Sequence, residues 1–125
     1  MKVTPTDPPR VFEVGGGERI RLKDCARIHL EPDEQVTFVT ESGAEYDVAR
    51  KSWGFYATPS LNGRLPQFGL RGALVKSPAG RFYVFLVERG REAEFQGYLD
   101  VEQHAVICWL DSDRDLERLE RALRR

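Results

Sequence analysis

The chain has 125 residues, 41% of them hydrophobic and 31% charged, which is enough to bury one core without disulfide or metal staples. No apolar run is long enough to span a membrane, and two cysteines, Cys25 and Cys108, exclude a disulfide scaffold and favour a reducing, cytoplasmic setting. A net charge of -1 assigns no class of partner by itself.

The opening "MKVTPTDPPR" has no apolar segment of a secretory signal and carries prolines, so residues 1–9 are expected to be a flexible lead-in to a single domain over 10–125. "RVFEV" and "ERIRL" alternate apolar and polar residues around the glycines at 15–17, which predicts a β-hairpin. "ARIHL" continues the alternation, and "EPDE" is a turn. "QVTFVT" and "EYDV" flank "ESGA", where Gly43 suits the positive φ of a tight hairpin. Val36, Phe38, Tyr46 and Val48 are then the inward side chains.

"WGFYAT" is strand-like, and "PSLNGRLP" holds a hairpin signal at Asn62-Gly63. "FGLRGALVK" runs as a strand to the turn "SPAG". "RFYVFLVE" is nearly continuous apolar and predicts a central strand covered on both faces. Phe95, Tyr98 and Leu99 have helical spacing, so a short helix is expected over about residues 91–99, with "AVICWL" a second buried strand. A parallel crossover between these two strands stays open, because the connection is short. "DSDRDLERLERALRR" is a helix with a Leu116, Leu119, Leu123 stripe, acids first and arginines last. The class is α+β: a mostly antiparallel sheet, curled or barrel-like, with a short helix and a C-terminal amphipathic helix.

Charge is unevenly distributed along this order. Residues 7–49 carry ten acids and five bases, residues 50–91 eight bases and one acid, and residues 92–125 nine acids and five bases. The cationic segment contains "WGFYATPSLNGRLPQFGLR", in which aromatic and turn residues lie among arginines. A guanidinium beside an exposed ring can bind phosphate, carboxylate, sugar or base. The candidate ligand-binding residues are therefore Arg50, Lys51, Trp53, Tyr56, Asn62, Arg64 and Arg71. The competing account is an aromatic-cored hairpin with solvated basic edges, whose charge is cancelled if folding brings the acidic segments alongside.

Other motifs fall short of a site. The three glycines precede a strand rather than the helix a phosphate loop needs. "DSDRD" has calcium-loop spacing, but Leu116 and Ala122 stand where the loop needs Gly and Glu. His29 and Glu31 share a strand face without a third metal ligand. No cysteine or serine has a recognisable catalytic partner. No metal or cofactor is expected.

Three functions follow, in order. The first is a small binding or accessory protein taking an anionic small molecule: a phosphorylated metabolite, a nucleotide or a nucleotide-sugar. Single-stranded nucleic acid is a lesser variant, since eight bases over 42 residues and a pI near 6.1 are moderate. The second is protein–protein association, including a homodimer, because aromatic and arginine side chains recur in interface hot spots. The third is an enzyme in which His29 meets Glu31, Asp33 or Asp47.

Overall fold

The computed structural model describes residues 1–15 and 20–124. They form an α+β chain of three antiparallel sheets and three helices, in two compact units. One unit comprises Met1–Thr37 and Asp47–Thr58, the other Phe38–Tyr46 and Pro59–Arg125. No closed barrel is present among the described residues; the strands expected in one curled sheet are divided into three sheets.

In the first unit, β1 (Lys2–Val14) pairs antiparallel with β2 (Ile20–His29) as a long ribbon. Residues expected as a lead-in are thus part of β1, with Lys2 to Pro5 opposite His29 to Ala26. The register shifts between Pro5 and Arg10, where Pro8 and Pro9 have no N–H to give a ladder. On β1, five positions separate Pro5 from Arg10; on β2, two separate Ala26 from Asp24. This odd mismatch moves β1 from odd to even residues on one face. Val3, Pro5, Phe12 and Val14 therefore share a face with Ile20, Leu22, Ala26 and Ile28, interrupted by the Arg10–Asp24 ion pair, whose guanidinium lies 5.2 Å from the Phe12 ring centre. Gly15 has φ 94°; the rest of the turn expected at residues 15–17 lies outside the described residues.

The second sheet has the order β3 (Gln35–Val39), β4 (Glu45–Lys51), β5 (Gly54–Ala57). The hairpin between β3 and β4 turns where expected, with Gly43 at φ 91° and the Thr40 amide donating to the Ala44 carbonyl. Of the four residues expected inward, Val36, Tyr46 and Val48 are half-buried, and Phe38 is exposed.

The second unit holds the apolar core. After the short helix α1 (Arg64–Gln67) come β6 (Leu70–Lys76), β7 (Phe82–Glu88), α2 (Glu92–Glu102), β8 (Ala105–Trp109) and α3 (Asp113–Leu123). Strand order is β7-β6-β8, with β6 antiparallel to both neighbours. β7 and β8 therefore run parallel with β6 between them, and α2 makes the crossover. Ala73, Val75 and Leu99 pack with Phe85, Phe95, Tyr98, Val106 and Trp109. Ala44, Leu65 and Leu70 form a smaller cluster with Tyr46 and Leu86.

Three expectations are corrected here. β7 is an edge strand, with Phe82, Tyr83 and Val84 exposed; β6 is central although its sequence is less apolar. β8 is the opposite edge, and Ile107 is exposed. An apolar run does not distinguish a strand covered on both faces from one whose edge is open, because strand order is a tertiary property. Asn62-Gly63 makes no hairpin but leads into α1: the Leu65 amide donates to the Ser60 carbonyl and the Arg64 amide to Ser60 Oγ.

The helices end for local reasons. α2 runs three residues past the expected boundary and stops at Gln103, whose left-handed backbone lets the His104 amide reach the Leu99 carbonyl. α3 begins where Ser112 Oγ accepts from the Asp115 amide at 3.2 Å. Its Arg121–Glu117 and Arg124–Glu120 pairs form as the spacing predicts. Its leucine stripe is nonetheless not buried.

Candidate functional site

The seven candidate residues divide between the two units. Arg50, Lys51, Trp53 and Tyr56 belong to the first; Asn62, Arg64 and Arg71 belong to the second.

In the first unit, β4 and β5 pair Ala49 with Tyr56, Arg50 with Phe55, and Lys51 with Gly54. Ser52 and Trp53 are the tip, and Gly54 accepts the positive φ, 149°, needed to re-enter the ladder. Trp53, expected in the strand beside Phe55, is thus a turn residue. Trp53 is 71% exposed, Phe55 64% and Tyr56 51%, so these aromatics are surface rather than core. The Arg50 guanidinium lies 5.8 Å from the Phe55 ring centre and donates to the Gly54 carbonyl at 3.3 Å. Lys51 Nζ donates to Asp33. Arg50 and Phe55 occupy one face of the hairpin, Lys51 and Tyr56 the other.

The second unit uses its candidates differently. Asn62 donates to Asp113 at 2.8 Å, joining the loop before α1 to the start of α3. The Arg64 guanidinium lies 5.4 Å from the Phe68 ring centre. Arg71 sits 4.1 Å over the Trp109 ring and grips Asp111 with two bonds, at 2.7 and 3.2 Å. A third bond, at 3.2 Å, reaches Glu92. The hydrogen bond with Asp111 is the main cause that raises the Arg71 pKa, and burial works against it. Glu92 is lowered, first by backbone amides at its own position and Gly90 and then by Arg71. Three bases of the cationic segment are met by carboxylates in this way: Lys51 by Asp33 from the acidic first part of the chain, Arg71 by Asp111 and Glu92 from the last, and Arg91 by Glu88 and Glu94.

Two of the three carboxylates named for catalysis, Asp33 and Asp47, have partners of their own. The Asp47 carboxylate is buried and accepts from Thr37 Oγ1 at 2.6 Å, and Asp33 holds Lys51. His29 and Glu31 line a shallow cavity with Met1, Lys2 and Leu30. Among the described residues, no group of three or more His, Cys, Asp and Glu side chains is placed to hold a metal ion.

One surface was missed by sequence reasoning. The ribbon face carrying Val3, Phe12, Val14, Leu22 and Ile28 is exposed along its length. Asp47 is the only buried residue among the described residues of the first unit. The alternation marking these residues was legible, but it reads the same whether the apolar face meets a core or nothing.

Comparison with known proteins adds no relative: no family model, curated protein or solved structure matches the chain. No helix is long and apolar enough to cross a membrane among the described residues.

Proposed function

We propose that this chain is a protein-association module whose first unit offers an apolar β-surface to another protein chain. The observation that carries this is the absence of any buried apolar side chain among the described residues of that unit, beside ten exposed large apolar ones, from Met1 and Val3 to Trp53, Phe55 and Tyr56. A two-stranded ribbon alone is marginally stable in water, since ordering each residue costs about 1–2 kcal/mol and burial must offset it. Full burial of an aliphatic or Phe side chain stabilises by about 1.5–3 kcal/mol. Covering the half-exposed Val3, Phe12, Val14, Leu22 and Ile28 is therefore worth on the order of 5 kcal/mol, comparable to the stability of a small domain. Aromatic residues flanked by Arg50 are also the composition of interface hot spots.

The test is a photoreactive amino acid placed at position 12 in the producing cell. An adduct with a protein chain at position 12, absent when the same group replaces Lys23 on the polar face, supports the proposal. Equal or no adduct at both positions refutes it.

A second reading takes an anionic small molecule at the hairpin tip, supported by exposed Trp53 at the tip and by the Arg50 guanidinium beside exposed Phe55 on one face of the hairpin. Titration with a nucleoside triphosphate checks it: shifts of the Trp53 indole and Arg50 resonances at millimolar ligand support it, and their absence removes it.

A further inference from the structure

We propose that β7 pairs with the β7 of a second copy, antiparallel about a two-fold axis at Val84, joining two three-stranded sheets into one of six strands. This does not depend on the association surface of the first unit, because β7 lies wholly in the second.

The first ground is the unpartnered edge. β7 bonds to β6 along its whole length, from Phe82 opposite Lys76 to Glu88 opposite Leu70, and no strand lies on its other side among the described residues. Such an edge presents a row of amide and carbonyl groups that template another strand. Proteins usually blunt such edges with Lys, Pro or a bulge. Residues 82–87 are instead six consecutive apolar residues, paired to β6 in unbroken register. Phe82, Tyr83 and Val84 are exposed, Val84 at 61%.

The second ground is a groove beside that edge. It has a volume of about 310 Å³ and is lined by Phe85, Val87, Phe95 and Tyr98 and by Glu88, Glu94 and the Arg91 that pairs with both. A strand added to β7 projects alternate side chains into this groove. In the symmetric pair these are Tyr83 and Arg81 of the second copy, opposite Phe85 and Val87.

Charge bears on both partner and register. In the pair about Val84, Arg81 of one strand stands opposite Val87 of the other, beside the groove that Glu88 and Glu94 also line. A two-fold axis normal to the sheet pairs residues of like parity. An axis at Phe85 sets Arg81 opposite Arg89, which is repulsive. Moving the axis to Val84 removes that clash and sets Tyr83 opposite Phe85, Phe82 opposite Leu86, and Val84 opposite itself.

Sedimentation of the full chain tests the proposal, with Val84→Lys as the first variant. The expected result is a concentration-dependent dimer that Val84→Lys converts to monomer with an unchanged circular dichroism spectrum. Register is tested in a Cys25→Ser, Cys108→Ser background. There Val84→Cys should oxidise to a disulfide-linked dimer faster than Leu86→Cys, which lies on the same face but off the axis. Should the lysine variant fail to fold, the cysteine pair decides. A strict monomer from micromolar to near-millimolar concentration overturns the proposal. So does a dimer unaffected by Val84→Lys, or equal oxidation at the two positions. A photo-adduct at position 12 with these results negative leaves the first unit's surface standing and removes this one alone.

Discussion

Replacing Arg71 with Ala should destabilise the protein by about 2–3 kcal/mol. The guanidinium is 27% exposed and its partner Asp111 17%, so both are well removed from solvent. Truncation removes two charged hydrogen bonds to Asp111 and a stack on Trp109, and leaves a mostly buried carboxylate with no cation. Charged hydrogen bonds are worth about 1.5–3 kcal/mol and a cation over an indole about 0.5–2. These do not add fully, because one group makes both contacts. In urea followed by circular dichroism, the midpoint should fall by roughly 1–2 M. Arg71→Lys keeps the charge but loses the planar fork and should show about half the loss. A double-mutant cycle with Asp111→Asn should return a coupling of about 1–2 kcal/mol. A loss below about 0.5 kcal/mol in Arg71→Ala, or no coupling, would refute the claim that this arginine is held for the fold.

Three further outcomes are expected. Burial, then the nearby charges of Glu102 and Tyr83, raise the Tyr98 pKa. The folded protein therefore keeps this proton longer than the unfolded chain, and its contribution is complete below pH about 10 and lost as pH rises through the folded value. Alkaline unfolding curves should show that slope, and Tyr98→Phe should flatten it. Glu88 is held below the usual carboxylate range by hydroxyls of Ser42 and Thr40 and then by Arg91. Its contribution is present above the unfolded carboxylate value and lost as pH falls through the folded one; Ser42→Ala should move the Glu88 carboxyl resonance titration upward, and an unmoved titration excludes the Ser42 bond. Gly69 has φ 91°, and an added Cβ would lie 3.4 Å from that of Ala44. Gly69→Ala should cost at least about 1 kcal/mol by thermal unfolding, and a neutral result would mean that α1 joins β6 by another backbone path.

The apolar ribbon surface was not legible as a site, whereas the aromatic-rich cationic stretch stands out from composition. The exposure of its hairpin tip belongs to the tertiary structure. That Arg71 is gripped by Asp111 and Glu92, 40 and 21 positions along the chain, was not legible. Charge counted in sequence windows carries no information about which windows meet in space. Trp53 looked like one of a strand pair with Phe55; the turn at Ser52 and Trp53 depends on where β4 finds its last partner.

By itself, the sequence determined what depends on neighbours within a few residues. The hairpin at Gly43, the Ser112 start of α3 with its ordered charges, and the alternation of β1 and β2 all follow from local backbone and side-chain preferences. Tertiary structure alone decided strand order and exposure. It made "LRGALVK" the middle strand and "RFYVFLVE" the edge, and left the alternating face of the ribbon uncovered. The physical reason is that hydrophobic burial has no direction: apolar side chains record that surface is to be covered, and only the packed chain determines what covers it.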